Sequence, residues 1–286
     1  MASVKLLAVA GSAVLLTLNA AGAADLPLAP PPVPVVQDYS GWYLRGDIGF
    51  SNQQVKEIDN LLYHQPQVTS VVNKSKSFDA APFFGLGVGY QFNSWLRADL
   101  IGEYRANANF HGADVQNFSA YGQPGWTANN FTASKSEWLV MANAYVDLGT
   151  WWCVTPFIGA GIGGSYNRIS NMVDSSISNY YLPAAGGYVT GPGMAFGADT
   201  GKWNFAWALH AGLAYKVTPG LTLEVAYRYL NLGDAASGDL VDYTGGNFYN
   251  NPVDFKTITS HDLKVGMRWM LSAPEPVYQP PLMRKG

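Results

Sequence analysis

Charged side chains recur along this chain at the spacing of a β-strand. Arg45 and Asp47, Arg97 and Asp99, Glu103 and Arg105, and Asp262 and Lys264 stand two residues apart; Glu224 and Arg228, and Lys264 and Arg268, stand four apart. Residues i, i+2 and i+4 of a strand share a face. With Glu137, Asp147 and Lys216 the set holds seven cations and seven anions. Such a set can neutralise itself as a buried ion-pair network or, if hydrated, line a path for ions. The spacing favours the structural network, and Glu103 and Glu224 do not read as an acid/base pair.

Other chemistry is only hinted at. Gly159-Ala160-Gly161-Ile162-Gly163-Gly164 fits a dinucleotide-binding glycine pattern. That motif needs a helix after it to hold the phosphate, and here the glycines continue a strand period, as Gly85, Gly87 and Gly89 do. Small inward residues leave room for long Arg and Tyr side chains across a lumen. Arg45-Gly46-Asp47 lies within a strand, so its display as a recognition tripeptide is not expected. The sequons at Asn73, Asn117 and Asn130 are not expected to be glycosylated in an outer-membrane setting. The lone Cys153 excludes an intrachain disulfide and sits at a turn without a His beside it. His64 and His111, with Tyr63 and Tyr121, fall in long connections and have side chains able to ligate haem iron. No metal-ligand spacing and no catalytic triad is legible, so no enzyme activity, cofactor or metal is expected; His210 reads as a lumen residue.

These side chains must be positioned by strands. Eight alternating segments run between Trp42 and Leu271: residues 42–51, 83–92, 95–105, 137–148, 154–167, 203–216, 221–229 and 262–271. Their connections alternate short and long. The short ones are Asn93-Ser94, Gly149 to Trp152, and Thr218-Pro219-Gly220; the four others are polar and run 25 to 35 residues. The pattern predicts an all-β fold: an eight-stranded antiparallel transmembrane β-barrel with short periplasmic turns and four long extracellular loops. Orientation follows from magnitude. Four charges of 95–105 facing hydrocarbon would cost on the order of 8 kcal/mol, at about 2–4 kcal/mol per basic residue and less for acids. The apolar face therefore meets lipid and the charges face the lumen, which eight strands leave just wide enough for side chains to fill. Trp42, Trp95, Trp151, Trp152, Tyr215 and Trp269 sit at short-turn ends, as a periplasmic aromatic belt would.

The ends of the chain and its composition agree. Met1 to Lys5, an apolar run Leu6–Leu18 and Ala21-Gly22-Ala23 read as a signal peptide over 1–23; the run is too short to span a bilayer as a helix. Proline-rich segments over 24–40 and 272–286 flank a barrel over 41–271, and both are expected in the periplasm. No Cys begins the mature chain, so no lipoprotein anchor is expected. Charged residues are only 13% and the net charge is −3, with no basic block, which argues against a nucleic-acid partner.

Several segments together resemble a known family. They are Gly41 to Gly49, Leu96 to Asp99 with Gly102 to Arg105, Ala142 to Gly149, Pro156 to Gly163, Tyr227 to Gly233 and His261 to Trp269. The chain is similar over residues 40–271 to the small outer-membrane β-barrel proteins (porin family, OmpA-like transmembrane barrel) of rhizobia and related alphaproteobacteria. The resemblance implies an abundant outer-membrane protein with a role in envelope integrity, some relatives being surface antigens or haemin binders. It also implies contact with outer-membrane lipid and lipopolysaccharide, with the barrel-assembly machinery during biogenesis, and with extracellular ligands at the loops. A narrow pore and a lipid-modifying enzyme are the rival expectations. The tail beyond Trp269 departs from barrels that end on an aromatic.

Overall fold

The computed structural model describes residues 40–272 except residue 248. The expected signal peptide and nearly all of both proline-rich segments lie outside the described residues. The strands are β1 (Gly41–Asn60), β2 (Val68–Phe78), β3 (Ala81–Gln91), β4 (Leu96–Ala120), β5 (Gln123–Asp147), β6 (Val154–Leu182), β7 (Gly187–Gly197), β8 (Thr200–Lys216), β9 (Leu221–Ala236), β10 (Leu240–Asp242) and β11 (Val253–Met270). Eight of them form a closed antiparallel ring, β1-β3-β4-β5-β6-β8-β9-β11, with β11 returning to β1 from Tyr43↔Met270 to Asn60↔Val253. Closure leaves no strand edge in the hydrocarbon, where an unpaired backbone group would cost several kcal/mol.

At one end the strands join by tight turns. Asn93 Oδ1 accepts from the Trp95 and Leu96 amides at 3.0 and 2.8 Å, fixing the β3–β4 turn. Thr218 Oγ1 accepts from the Leu221 amide at 3.0 Å in the β8–β9 turn. Between β5 and β6, Trp152 and Cys153 take φ of +49° and +68° inside a Trp151↔Val154 bridge. Those signs suit the twist of a two-residue hairpin, although neither residue type favours them.

At the other end the long connections, expected from sequence to be loops, are built largely of further strand. β4 and β5 continue as a ribbon to Ala120↔Gln123, closed by Tyr121 and Gly122 at φ +53° and +78°. β6 continues to pair with β7, β10 adds to β7, and β2 pairs with the outer half of β4. The physical reason is a change of sign. Between the aromatic belts, apolar residues point out: Ile48, Phe50, Leu86, Phe205 and Leu263 are all more than half exposed. Beyond the outer belt they point in, and Val55, Ile58, Phe78, Phe110, Phe131, Ile169, Met172, Leu232, Val253, Phe255 and Ile258 form a buried cluster. Water surrounds the extensions, so apolar burial drives these side chains inward. The rings of Phe78, Phe110 and Phe255 meet at centroid distances of 4.9 to 6.1 Å.

The belts mark the boundaries. Tyr104–Trp138 and Tyr166–Trp203 pair at 4.9 and 5.4 Å on the outer side, and Trp42–Tyr90 at 5.2 Å on the inner. From Trp138 to Leu148 a strand tilted by about 40° rises roughly 25 Å, the height of an outer-membrane apolar band. Among the described residues no helix is long and apolar enough to cross a membrane.

Candidate functional site

The barrel interior is a stack of charged side chains carried on the inward parity of the ring strands. Nearest the short turns, Glu224 gathers three guanidiniums: Arg97 at 3.3 Å, Arg45 at 3.3 Å and Arg268 at 3.2 Å. Arg97 also meets Asp147 at 3.2 Å, and Arg268 donates to Gln91 at 2.6 Å. One step outward, Arg45 binds Asp47 at 2.9 Å and Asp99 at 2.6 Å, while Lys264 reaches Asp47 at 3.4 Å. Tyr43 and Asn143 add hydrogen bonds to Asp99 at 3.2 and 2.8 Å. The outermost layer has the most regular geometry. Arg105 forks onto Asp262 at 2.8 and 2.9 Å, Arg228 forks onto Glu103 at 2.7 and 2.9 Å, and cross-contacts close the square. Paired forks of this kind are the strong form of the charged hydrogen bond. Arg105 also contacts Glu137 at 2.8 Å. That contact, Arg97–Glu224 and Arg268–Glu224 are close charge contacts without aligned hydrogen bonds.

Glycines make room for this stack. The Tyr43 ring lies where a Cβ on Gly89 would stand, 2.2 Å away, and Asn143 Oδ1 crowds Gly161 at 2.0 Å in the same sense. Thirteen of the fourteen charged residues singled out in the sequence are buried in the lumen. Lys216 is the exception: it is exposed at the short-turn mouth, where with Asp147 and Arg268 it lines a vestibule of about 120 Å³.

Lys135 was missed, although it stands two residues before Glu137 on the same face. It is fully buried, bonded to Glu137, and donates to Gln53 at 3.0 Å; Gln53 in turn donates to Glu137 at 2.6 Å. His210 is buried, 3.2 Å from Asn143 and 5.3 Å between ring centroids from Tyr145. Arg97, Arg105 and Lys135 are 0% exposed. Their surfaces are wholly covered by protein. Above them lies the buried apolar cluster of the extensions.

Of the short-turn aromatics, Trp42, Trp95, Trp151, Tyr215 and Trp269 are each a little over half exposed on the outer wall, while Trp152 stands free at the turn tip at 97%. The side chains able to ligate haem are not brought together. Tyr63 bonds Asp114 inside the outer mouth and His64 pairs with Asp59 at 2.7 Å; His111 lies 3.9 Å from Asp79 and Tyr121 is at a hairpin tip.

Under the connection carrying Tyr63 lies a second acidic group. Asp114 accepts from Tyr63 and, at 2.8 Å, from Asn129. Asp174 faces it with one buried oxygen that has no partner. Burial first, and then the charge of Asp114, push the Asp174 carboxyl up to about 7. Burial also raises Asp114, against its two hydrogen bonds.

The family model described as "Outer membrane protein beta-barrel domain" matches residues 11–269. A protein of Brucella suis biovar 1 (strain 1330) is 32% identical over 256 residues, covering 82% of this chain and 79% of its own. Outer membrane protein PagN of Salmonella typhimurium (strain LT2) is 25% identical over 189 residues, covering 65% and 71%. Among solved structures, OprG of Pseudomonas aeruginosa aligns over 82% of this chain and 98% of its own, at 11% identity and a TM-score of 0.43.

Proposed function

This chain belongs to the outer membrane β-barrel protein family and resides in the outer membrane, and from that premise we propose that it is a sealed structural barrel. It holds an extended extracellular sheet on the cell surface and passes no solute. The observation that supports the reading is the filling of the lumen: Arg97, Arg105 and Lys135 are 0% exposed, and the other lumen cations are nearly covered by carboxylates and rings. A conducting barrel needs a continuous wet path, as the wider porins have. Conduction by a narrow pore would require the Arg105–Asp262 and Arg228–Glu103 forks to part and the Phe78–Phe110–Phe255 cluster to open.

What remains for such a barrel is mechanical and interfacial work. Its lipid-facing band and two belts anchor it, and its outer ribbons rise roughly 40 Å beyond the outer belt, by strand rise and tilt. In that reading the envelope is strengthened by the barrel itself, and recognition is left to the outer sheet. The test is a deletion strain challenged with detergent and bile salts. Resistance should be restored by the intact chain and equally by a chain whose outer ribbons are shortened at Asn107 and Ser136. Restoration that needs the ribbons would contradict a role for the barrel alone. Liposomes carrying the refolded protein should fail to swell in small sugars, and swelling would favour the pore.

A further inference from the structure

The outermost part of the sheet holds a cleft of about 450 Å³ between the β4–β5 tip, the start of β2 and the β6–β7 ribbon. Its size falls in the range of small-molecule sites. The rings of Trp126 and Tyr188 line it on one face of the sheet, whereas Phe118, next to Asn117 in the strand, turns its ring to the other face. The side-chain amides of Asn117 and Asn179 share that face with the two rings, and Thr69 and Ser119 add hydroxyls to the lining. None of its lining residues is charged and none carries an aliphatic Leu, Ile, Val or Met side chain.

That composition selects the ligand. An acyl chain or a greasy peptide segment would call for aliphatic walls. A sulfated or phosphorylated ligand would call for Lys or Arg, which the lining does not supply. A pyranose ring has an apolar C–H face that lies on an aromatic ring and a rim of hydroxyls that needs acceptors and donors, and this lining offers both.

The polar groups are already held in place. Asn179 donates to Thr190 at 2.7 Å and Asn117 to Ser70 at 3.0 Å, which leaves the two amide carbonyl oxygens as acceptors. Thr69 donates to the backbone carbonyl of Asn117 at 3.1 Å, leaving the side-chain amide oxygen of Asn117 as an acceptor. On the opposite face, the Phe118 ring packs over Gly125, where a Cβ would come within 2.9 Å of it, and backs the strand that carries Trp126. Trp126 and Tyr188 are 38% and 51% exposed, rings left partly in water at the far end of a surface protein. Fixed side chains lose little freedom on binding, which favours affinity.

We propose that this cleft binds neutral oligosaccharides arriving from outside the cell, a proposal that rests on the outer sheet being the recognition surface of a sealed barrel. Stacking on Trp126 and Tyr188 supplies the contact area, and the Asn117 and Asn179 carbonyls read the hydroxyls.

The test uses the full mature chain, refolded without lipopolysaccharide and shown folded by its heat-shifted gel mobility. It is applied to arrays of neutral hexasaccharides (maltohexaose, cellohexaose, xylohexaose, chitohexaose) with a heparin hexasaccharide and the cell's own O-polysaccharide as further arms. Binding to at least one neutral hexasaccharide is expected, unchanged between 50 and 500 mM salt and weakened at least tenfold by W126A and by Y188A. Asn179→Ala, which removes the acceptor oxygen, should weaken it without moving the thermal transition. No binding by folded protein, a preference for heparin that salt abolishes, or binding confined to the O-polysaccharide would each overturn the proposal. Those outcomes leave detergent resistance and the absence of conductance untouched, so failure of the glycan site is distinguishable from failure of the sealed-barrel reading.

Discussion

Asp262 shows how closely the lumen charges depend on one another. It is the common partner of Arg105 and Arg228, and Ser260 adds a hydrogen bond at 2.5 Å. Replacing it with Asn keeps the shape but leaves two guanidiniums sharing the carboxylates of Glu103 and Glu137. Removing one partner of a buried charge cluster costs about 3–5 kcal/mol, because the remaining charge stays buried without compensation. D262N should lower the urea midpoint of the refolded barrel in detergent accordingly; a shift below about 1 kcal/mol would mean that water reaches the cluster. The sequence disclosed which residues would face inward, because strand parity needs only local spacing. It did not disclose who pairs with whom. Arg105 and Asp262 are 157 residues apart and meet across the bore, and that depends on the tilt and stagger of the whole ring. Lys135 is not legible from the alternation, because the lipid-facing apolar pattern of its strand ends at Trp138 and Lys135 lies beyond it.

At the scale of elements, the outer ribbons behave as a water-soluble sheet grafted onto a membrane barrel. The grafting point is visible as the switch of apolar side chains from the outer wall to the bore. Phe110, in the middle of the inner cluster, should cost about 3–5 kcal/mol when cut to Ala, as buried Phe does in soluble cores. Hydrogen exchange should place the loss in β2, β4 and the top of β11, with the lipid-embedded strand segments unchanged; uniform loss would mean that the extensions are not a separate layer. The Asp174 carboxyl adds a pH dependence. Its folded pKa of about 7 lies above the ordinary 3.8, so the folded state holds the proton more tightly than the unfolded chain. Stability is therefore greatest below pH 4 for this group and is lost as pH rises towards 7. The charged group facing it is Asp114, and Tyr63 reaches the pair from the β1–β2 connection. Amides around residues 112–116 and 172–176 should be better protected at pH 5 than at pH 8, after correction for intrinsic rates, and Asp174→Asn should remove the difference. An unaltered difference in that variant would assign it elsewhere. Strand extent was the part of the fold least legible from sequence. A search for apolar side chains on the lipid face ends where that face becomes polar, so Phe110, Phe131 and Phe255 read as loop residues when they are the core of the continuing strands.

For the whole molecule, the closed ring, the two belts and the charge-filled bore make one statement: a barrel of eight strands has room for its side chains and little else. The even strand number and the alternation of short and long connections were legible because they are written in spacing alone. The seal has two parts of different chemistry, ion pairs within the membrane and phenylalanines above it, so loss of either should leave the other closed. Single-channel recording of the refolded mature barrel in a planar bilayer tests this most directly. Protein proven folded by heat-shifted mobility is expected to give no steps at any voltage the bilayer tolerates, and D262N and F110A are each expected to stay silent. Reproducible steps from the unaltered chain, shifting in size or ion preference when Arg97 or Glu103 is neutralised, would contradict the sealed lumen and make the protein a charged pore.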